Sequence, residues 1–377
     1  MKHPQTKETQ PRDFGFNDEI GMLKDGARRF FDAKQLLVQL RATLKGTEDP
    51  HRGKPREGWY DRASWQEMIE LGWHMLAVPE TAGGIGMGLV AAAAVQEEIG
   101  RAACPTPLTS TLQSTFVLRE ANATALLTRI AEGHSLALAI YGEDGALESD
   151  ACDVTAEGNV LNGTSWYVQD AQKVDGFIVA ARAANGLGLY YLPRDAVELR
   201  ADRIVDLTRD QAHIVLRNAQ AELIAEPGEG AAVLARALPA LLTLIAADIA
   251  GAAEWQLQAT AEYAKVRVQF DRPIGYFQAV KHPIVNMMIA ADETRSLVYN
   301  AACAYDYEPD DALRCARLAK SNASDTAEFC SNRSTQLHGG IGFTWEHDVQ
   351  IFHKRQIHNQ FLFGDGGWQR QKLAEML

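Results

Sequence analysis

Arg267-Val268-Gln269-Phe270-Asp271-Arg272-Pro273-Ile274-Gly275-Tyr276-Phe277-Gln278 decides the fold, together with Gln336-Leu337-His338-Gly339-Gly340-Ile341-Gly342-Phe343-Thr344. The first string closes a long helical run and ends it in a Pro-Gly turn. A guanidinium at that point, Arg267, can bind phosphate oxygens through a two-pronged fork. It can equally complement a helix C-terminus. In the second string, Gly339-Gly340-Ile341-Gly342 follows a helix and not a strand, so it lacks the context of a Rossmann turn. Glycines there let backbone amides approach a phosphate closely. A plain helix cap explains one of the three and leaves the others over.

Around these strings the helical period dominates. Ala231 to Val266, Phe277 to Ala304, Asp310 to Leu337 and His347 to Phe361 carry apolar residues at helical spacing, which predicts a four-helix bundle. Upstream, Leu136 to Ile140, Val160 to Leu161, Ser165 to Val168, Gly176 to Ala181, Leu189 to Leu192 and Ala212 to Leu216 are short apolar or alternating runs split by turn residues. They predict an antiparallel β domain, with Asn162-Gly163 and Asn185-Gly186 as hairpin turns. The N-terminal part reads as helical again. Asp18 to Leu44 forms one helix, Gly46 to Gly58 a loop, and Asp61 or Ser64 caps the next helix. Leu89 to Ile99 forms a further helix that closes at Gly100. The expected division is 1–133 helical, 134–227 β and 228–377 helical bundle.

Bulk properties set bounds. A chain of 377 residues needs more than one core, and a net charge of -12 argues against a nucleic-acid footprint. Five cysteines without a CxxC pair give neither a disulfide framework nor a zinc site, and point to the cytoplasm. No secretory leader and no membrane span are expected. Val233 to Ala253 comes nearest, but Arg236, Pro239 and Asp248 suit a buried bundle helix. No metal site is expected, since His353 and His358 do not share a helix face at ligand spacing. No serine elbow is present either. Glu97 and Glu98 are adjacent on a helix and face different ways, as salt-bridge residues do.

The pattern Arg-x-Gln-Phe-x-x-Pro-Ile-x-x-Phe-Gln from Arg267 to Gln278 and the Gln336–Thr344 string resemble the C-terminal domain of the acyl-CoA dehydrogenase family. Val78-Pro79-Glu80-Thr81-Ala82-Gly83-Gly84-Ile85-Gly86 with Gln96 to Arg101 resembles its N-terminal domain. The resemblance spans the chain from about residue 15 onward. It implies a helical N-terminal domain, a middle antiparallel β-barrel domain and a C-terminal four-helix bundle. It further implies FAD, an acyl-CoA substrate and an electron-transfer flavoprotein as acceptor. Arg267, Phe270, Gln278, Gln336, Gly339 and Gly340 would hold the adenosine diphosphate of a flavin seated mainly on a neighbouring subunit. Tyr167 and Val168 would belong to the strand that backs the flavin ring. Asp271 stands where the family usually has glycine, and Ser165 where it usually has lysine.

The catalytic carboxylate is what the resemblance does not supply. The family's segment near the C-terminus aligns with Phe363-Gly364-Asp365-Gly366-Gly367-Trp368-Gln369-Arg370, so Phe363 replaces the base. The other seat the family uses, on the first bundle helix, falls on Leu241-Leu242. The closest likeness is to divergent bacterial members that degrade steroids and bulky acyl chains. Several of those pair with a complete subunit as an α2β2 tetramer. The chain therefore reads as a partner subunit without its own glutamate. The alternatives are an active homo-oligomer with Asp365 or, second, Asp248 as displaced base, and a non-catalytic CoA-ester-binding protein. Asp365 also suits a helix N-cap. Ala246, Ala247, Gly251 and Ala252 either make room for a bulky acyl chain or let helices pack closely.

Overall fold

The computed structural model describes residues 11, 13–44, 58–145 and 152–376. The loop expected at Gly46 to Gly58 lies almost wholly outside them. Helices α1 (Asp18–Lys34), α2 (Leu36–Thr43), α3 (Arg62–Glu70), α4 (Leu89–Arg101), α5 (Leu108–Glu120) and α6 (Thr124–Ala131) come first. Strands β1 (Leu136–Ala139), β2 (Val154–Glu157), β3 (Val160–Gln169), β4 (Gly176–Ala183), β5 (Gly186–Pro193), β6 (Glu198–Ala201), β7 (Gln211–Gln220) and β8 (Glu222–Ala225) follow. Then come α7 (Gly230–Val266), the short strands β9 (Val268–Gln269) and β10 (Arg272–Pro273), α8 (Gln278–Tyr307), α9 (Pro309–His338), α10 (Val349–Phe361) and α11 (Gly366–Ala374).

Secondary structure changes near the expected limits, from helix to strand after α6 and back at α7. Packing follows another division. One compact unit holds the residues up to Phe30, Gly88–Arg101 and the chain from Leu242 onward; the other holds Phe31–Met87 and Ala102–Leu241.

The second unit is built on one sheet in the order β6-β7-β3-β2-β4-β5-β8, with β1 on β4. It is mixed and not purely antiparallel, because β4 pairs in parallel with both β1 and β2. Asn162-Gly163 lies inside β3. The β2–β3 turn falls at Gly158-Asn159, between Glu157 and Val160. Gly163 is needed for another reason: with φ +125°, a Cβ there would sit 2.3 Å from the Asp153 carbonyl oxygen. The second expected hairpin forms, with Ala184 and Asn185 between paired Ala183 and Gly186. In the same unit Asp61 caps α3 by accepting from the Ser64 amide at 3.0 Å.

The first unit is the bundle of α8 to α11 and α7 from Leu242 onward, with α4 and most of α1. A single helix over Asp18 to Leu44 was expected, but Gln35, at φ +49°, breaks it into α1 and α2. Helix α4 runs through Gly100 instead of ending there. A Cβ on Gly100 would meet the Asp248 carbonyl oxygen at 2.0 Å, and one on Gly251 the Glu97 carbonyl oxygen at 1.8 Å. The two glycines let α4 and α7 cross backbone to backbone, so Gly251 is spent on helix packing. Helix α7 is long and apolar enough to cross a membrane, but most of it is buried inside the protein. Its Asp248 is fully buried there.

The amides of Leu89 and Val90 that open α4 donate to Asp306 of α8 at 2.9 and 3.2 Å. The cap thus comes from a residue 217 positions away. Asp306→Ala is expected to cost about 1–2 kcal/mol, the usual worth of a helix cap, read as a lower urea midpoint with unchanged slope.

Candidate functional site

The two strings quoted first emerge from the same end of the bundle. Gln256 Nε2 donates to Ser331 Oγ at 3.1 Å, and one turn on Thr260 Oγ1 meets Ser334 Oγ at 2.9 Å. Another turn on, the Tyr263 ring stacks on His338 at 4.5 Å. This ladder sets α7 against α9 in a register that places their ends side by side. His338 donates from Nδ1 to the Ser334 carbonyl at 2.8 Å and lies 4.6 Å from the His347 ring. Burial pushes the His338 imidazole below its ordinary range. The Ser334 carbonyl opposes that shift and His347 adds to it.

Beyond α7, β9 and β10 form a hairpin. Gln269 pairs with Arg272, which leaves Phe270 and Asp271 as a two-residue turn. Both are left-handed, at φ +54° and +60°. That geometry favours glycine. Asp271→Gly is expected to raise stability by about 1 kcal/mol by relieving the strain of one left-handed residue, measured as a higher thermal midpoint.

Arg267, Phe270, Gln278, Gln336, Gly339 and Gly340 are all exposed on this unit. The Arg267 guanidinium forms no ion pair with the described residues. Gly339 needs its lack of a side chain, with φ +64° and ψ -140°. Gly342 is packed, since a Cβ there would lie 2.8 Å from the Thr335 carbonyl oxygen. Gly340 has neither a positive φ nor any atom within 4 Å of a would-be Cβ. The space it leaves is unused by the described chain and fits close approach by an outside group such as a diphosphate. Large apolar side chains crowd the same end. Phe270 is 82% exposed and Phe343 78%, with Val266, Val268, Tyr276, Ile341 and Trp345 also exposed.

Tyr167 and Val168 belong to the other unit. They sit at a register irregularity of β3 against β7, and Tyr167 has φ +55°. The Tyr167 hydroxyl donates to the Glu143 carbonyl at 2.7 Å, whereas the Val168 side chain is in the core.

Neither expected seat of a base holds an acid. Leu241 and Leu242 are buried, and Phe363 is 7% exposed. Asp365 caps α11, its Oδ1 accepting from the Trp368 amide at 2.8 Å. Asp248 accepts from Gln96 at 2.8 Å, from Arg355 at 2.9 and 2.6 Å, and from Asn359 at 2.7 Å. Four donors occupy its two oxygens. Glu97 and Glu98 are likewise engaged. Glu97 takes Lys24, Arg295 and Tyr299, and Glu98 takes Arg28 and Arg101. Burial pushes the Glu97 carboxyl up, but Lys24 and Arg295 outweigh it and hold it below the usual carboxylate range. Among the described residues no group of three His, Cys, Asp or Glu could hold a metal ion.

Sequence reasoning missed the residues that fasten the Phe363 segment. Gln369, fully buried, donates to the Phe363 carbonyl at 2.6 Å and accepts from Arg317 at 2.8 Å. Lys320 Nζ donates to the carbonyls of Gln360 and Gly364 at 2.8 and 2.9 Å. The only signal in the sequence was a lone Lys and a lone Arg on the mainly small, apolar face of α9.

The model of the acyl-CoA dehydrogenase C-terminal domain matches residues 228–377, and that of the N-terminal domain residues 17–127. Acyl-CoA dehydrogenase IpdE2 of Mycobacterium tuberculosis is 34% identical over 301 residues, 78% of this chain and 80% of that protein. A solved structure of a variant of the Tcur3481-Tcur3483 steroid ACAD superposes with a TM-score of 0.84 at 26% identity, covering 95% of this chain and 97% of that one. The ChsE4-ChsE5 complex from Mycobacterium tuberculosis gives 0.82 at 24% identity, over 96% and 98%.

Proposed function

Since the chain belongs to the acyl-CoA dehydrogenase family of flavoprotein oxidoreductases, we propose that it serves as the subunit of a heteromeric acyl-CoA dehydrogenase that lacks the catalytic carboxylate. FAD, when bound, supplies the hydride acceptor for α,β-dehydrogenation of an acyl thioester. This chain lends Arg267, Phe270, Gln278, Gln336, Gly339 and Gly340 to the anionic half of that flavin across a subunit interface. Separately, Tyr167 and Val168 lie on β3, the strand proposed to back a flavin ring. The companion chain provides the proton-abstracting group.

One observation carries this reading. The phosphate-facing side chains are exposed and Arg267 has no counter-ion among the described residues, while buried apolar residues fill both seats of the base. An exposed guanidinium without a carboxylate from its own chain is available for a two-pronged contact to phosphate oxygens. The crowd of exposed Phe, Val and Tyr around it suits burial against another protein. A partner-free homo-oligomer using Asp365 is less well supported, because that carboxylate is committed to a helix cap. The designation Tcur3481-Tcur3483 steroid ACAD pairs two names for a structure at 26% identity, which accords with two components and a bulky acyl-CoA substrate. Electron-transfer flavoprotein completes the proposal as acceptor.

Co-expression with a family subunit that carries the glutamate tests the reading. A stable complex of both chains with bound flavin is expected. Two chains that elute separately, with all the flavin on the companion, would refute it.

A further inference from the structure

Buried polar contacts from Lys320, Ser321 and Gln369 hold the connection from Gln360 to Gly366. Phe363 and Gly364 are consecutive left-handed residues, at φ +57° and +87°. A non-glycine residue keeps that conformation only where its surroundings over-determine it. Here they do. Gln369 binds the Phe363 carbonyl, Ser321 Oγ donates to the Gly366 carbonyl at 3.2 Å, and the Trp368 ring packs on Gly364, where a Cβ would come within 2.4 Å.

Lys320 is the centre of this fastening. It is fully buried on α9, and its Nζ reaches Ser324 Oγ at 2.8 Å besides the Gln360 and Gly364 carbonyls. An ammonium has three donors, and all three are used. A free amine has two donors and one lone pair. Its two donors still hold both carbonyls, and its lone pair is satisfied only if the third partner turns round and donates. Ser324 is a hydroxyl and can do so. Either carbonyl in that place could not.

We propose that Lys320 is the positioning residue that keeps residue 363 at its seat, with Ser324 as the third partner of its nitrogen. The fastening is a property of this chain. Its functional meaning rests on residue 363 standing where the family places its base. Burial pushes the Lys320 ammonium down to about 7 against the opposing pull of Asp365. Of the charged groups on the elements around it, Asp365 pulls on the ammonium, Arg317 binds Gln369, and Asp325 on α9 pairs with Arg370 of α11 beside Gly366. None is altered in the variants below.

Amide hydrogen exchange of the full chain, read by mass spectrometry as the ratio to the parent at matched pH, tests this. Lys320→Met keeps the apolar volume and removes every donor. Exchange over residues 361–366 is expected to rise by about tenfold, as for loss of one to two net hydrogen bonds, with α7 and α8 unchanged. Ser324→Ala removes the acceptor of the third ammonium N–H and the Oγ contact to the Gln360 carbonyl at 3.4 Å, so at pH 6 it is expected to loosen the same segment by about threefold, as for one weaker hydrogen bond. Neither outcome depends on flavin or on a partner, so failure here is distinct from failure of the subunit proposal. If Lys320→Met leaves the segment protected, or loosens the whole bundle evenly, Lys320 has no positioning role. No effect of Ser324→Ala at pH 6 would remove Ser324 from the account. Should the lysine variant not fold, the Ser324→Ala comparison decides by itself.

Discussion

Asp248→Ala is expected to destabilise the protein by about 3–5 kcal/mol, the range for stranding one member of a buried ion pair. Asp248 and Arg355 are both essentially inaccessible, and their closest approach is 2.6 Å. Gln96 and Asn359 complete the carboxylate's hydrogen bonds. Removing the carboxylate takes this acceptor from a buried guanidinium and two buried amides. Thermal unfolding of Asp248→Ala reads the loss. The double variant Asp248→Leu/Arg355→Met separates charge from packing, because it removes both ions at similar volume. It is expected to recover most of the stability. If the double variant is as unstable as the single, the pair is not what holds α4, α7 and α10 together here.

Arg267→Ala is expected to weaken FAD retention by the assembled enzyme about 10- to 100-fold, in line with ~1.5–3 kcal/mol for a hydrogen bond to a charged group. The thermal midpoint of the isolated chain should barely move, since Arg267 is exposed and forms no ion pair with the described residues. Arg267→Lys keeps the charge and loses the fork, so it should fall between the two. Fluorescence of released flavin on dilution measures the effect. Equal retention by all three proteins would show that Arg267 does not touch the diphosphate.

The bundle was legible in the sequence because long helices declare themselves by period, and the limits of α7, α9 and α10 lie close to those expected. Features made by distant partners were not legible. Gly100 reads as a helix end until the Asp248 carbonyl is seen against it, and the cap of α4 is Asp306, far along the chain. Asn162-Gly163 has the composition of a hairpin turn, yet Gly163 serves a close approach within a strand. The parallel pairing of β4 with β1 and β2 leaves no local trace, since alternation along a strand does not say which neighbour it will meet. At the candidate site, the end of α7 and the glycine turn followed from short motifs, whereas the β9–β10 hairpin with its turn at Phe270-Asp271 did not. The ties that Lys320, Gln369 and Arg317 make to the Phe363 segment did not, because a solitary polar residue on a helix carries no sign of what it will bind.

The chain purified by itself offers the most direct test: its flavin absorbance per polypeptide and its turnover with acyl-CoA esters. A protein that borrows its base from another subunit should show neither stoichiometric flavin nor turnover alone, and both once the companion is added. Full flavin occupancy with full dehydrogenase activity in the isolated chain would contradict the account.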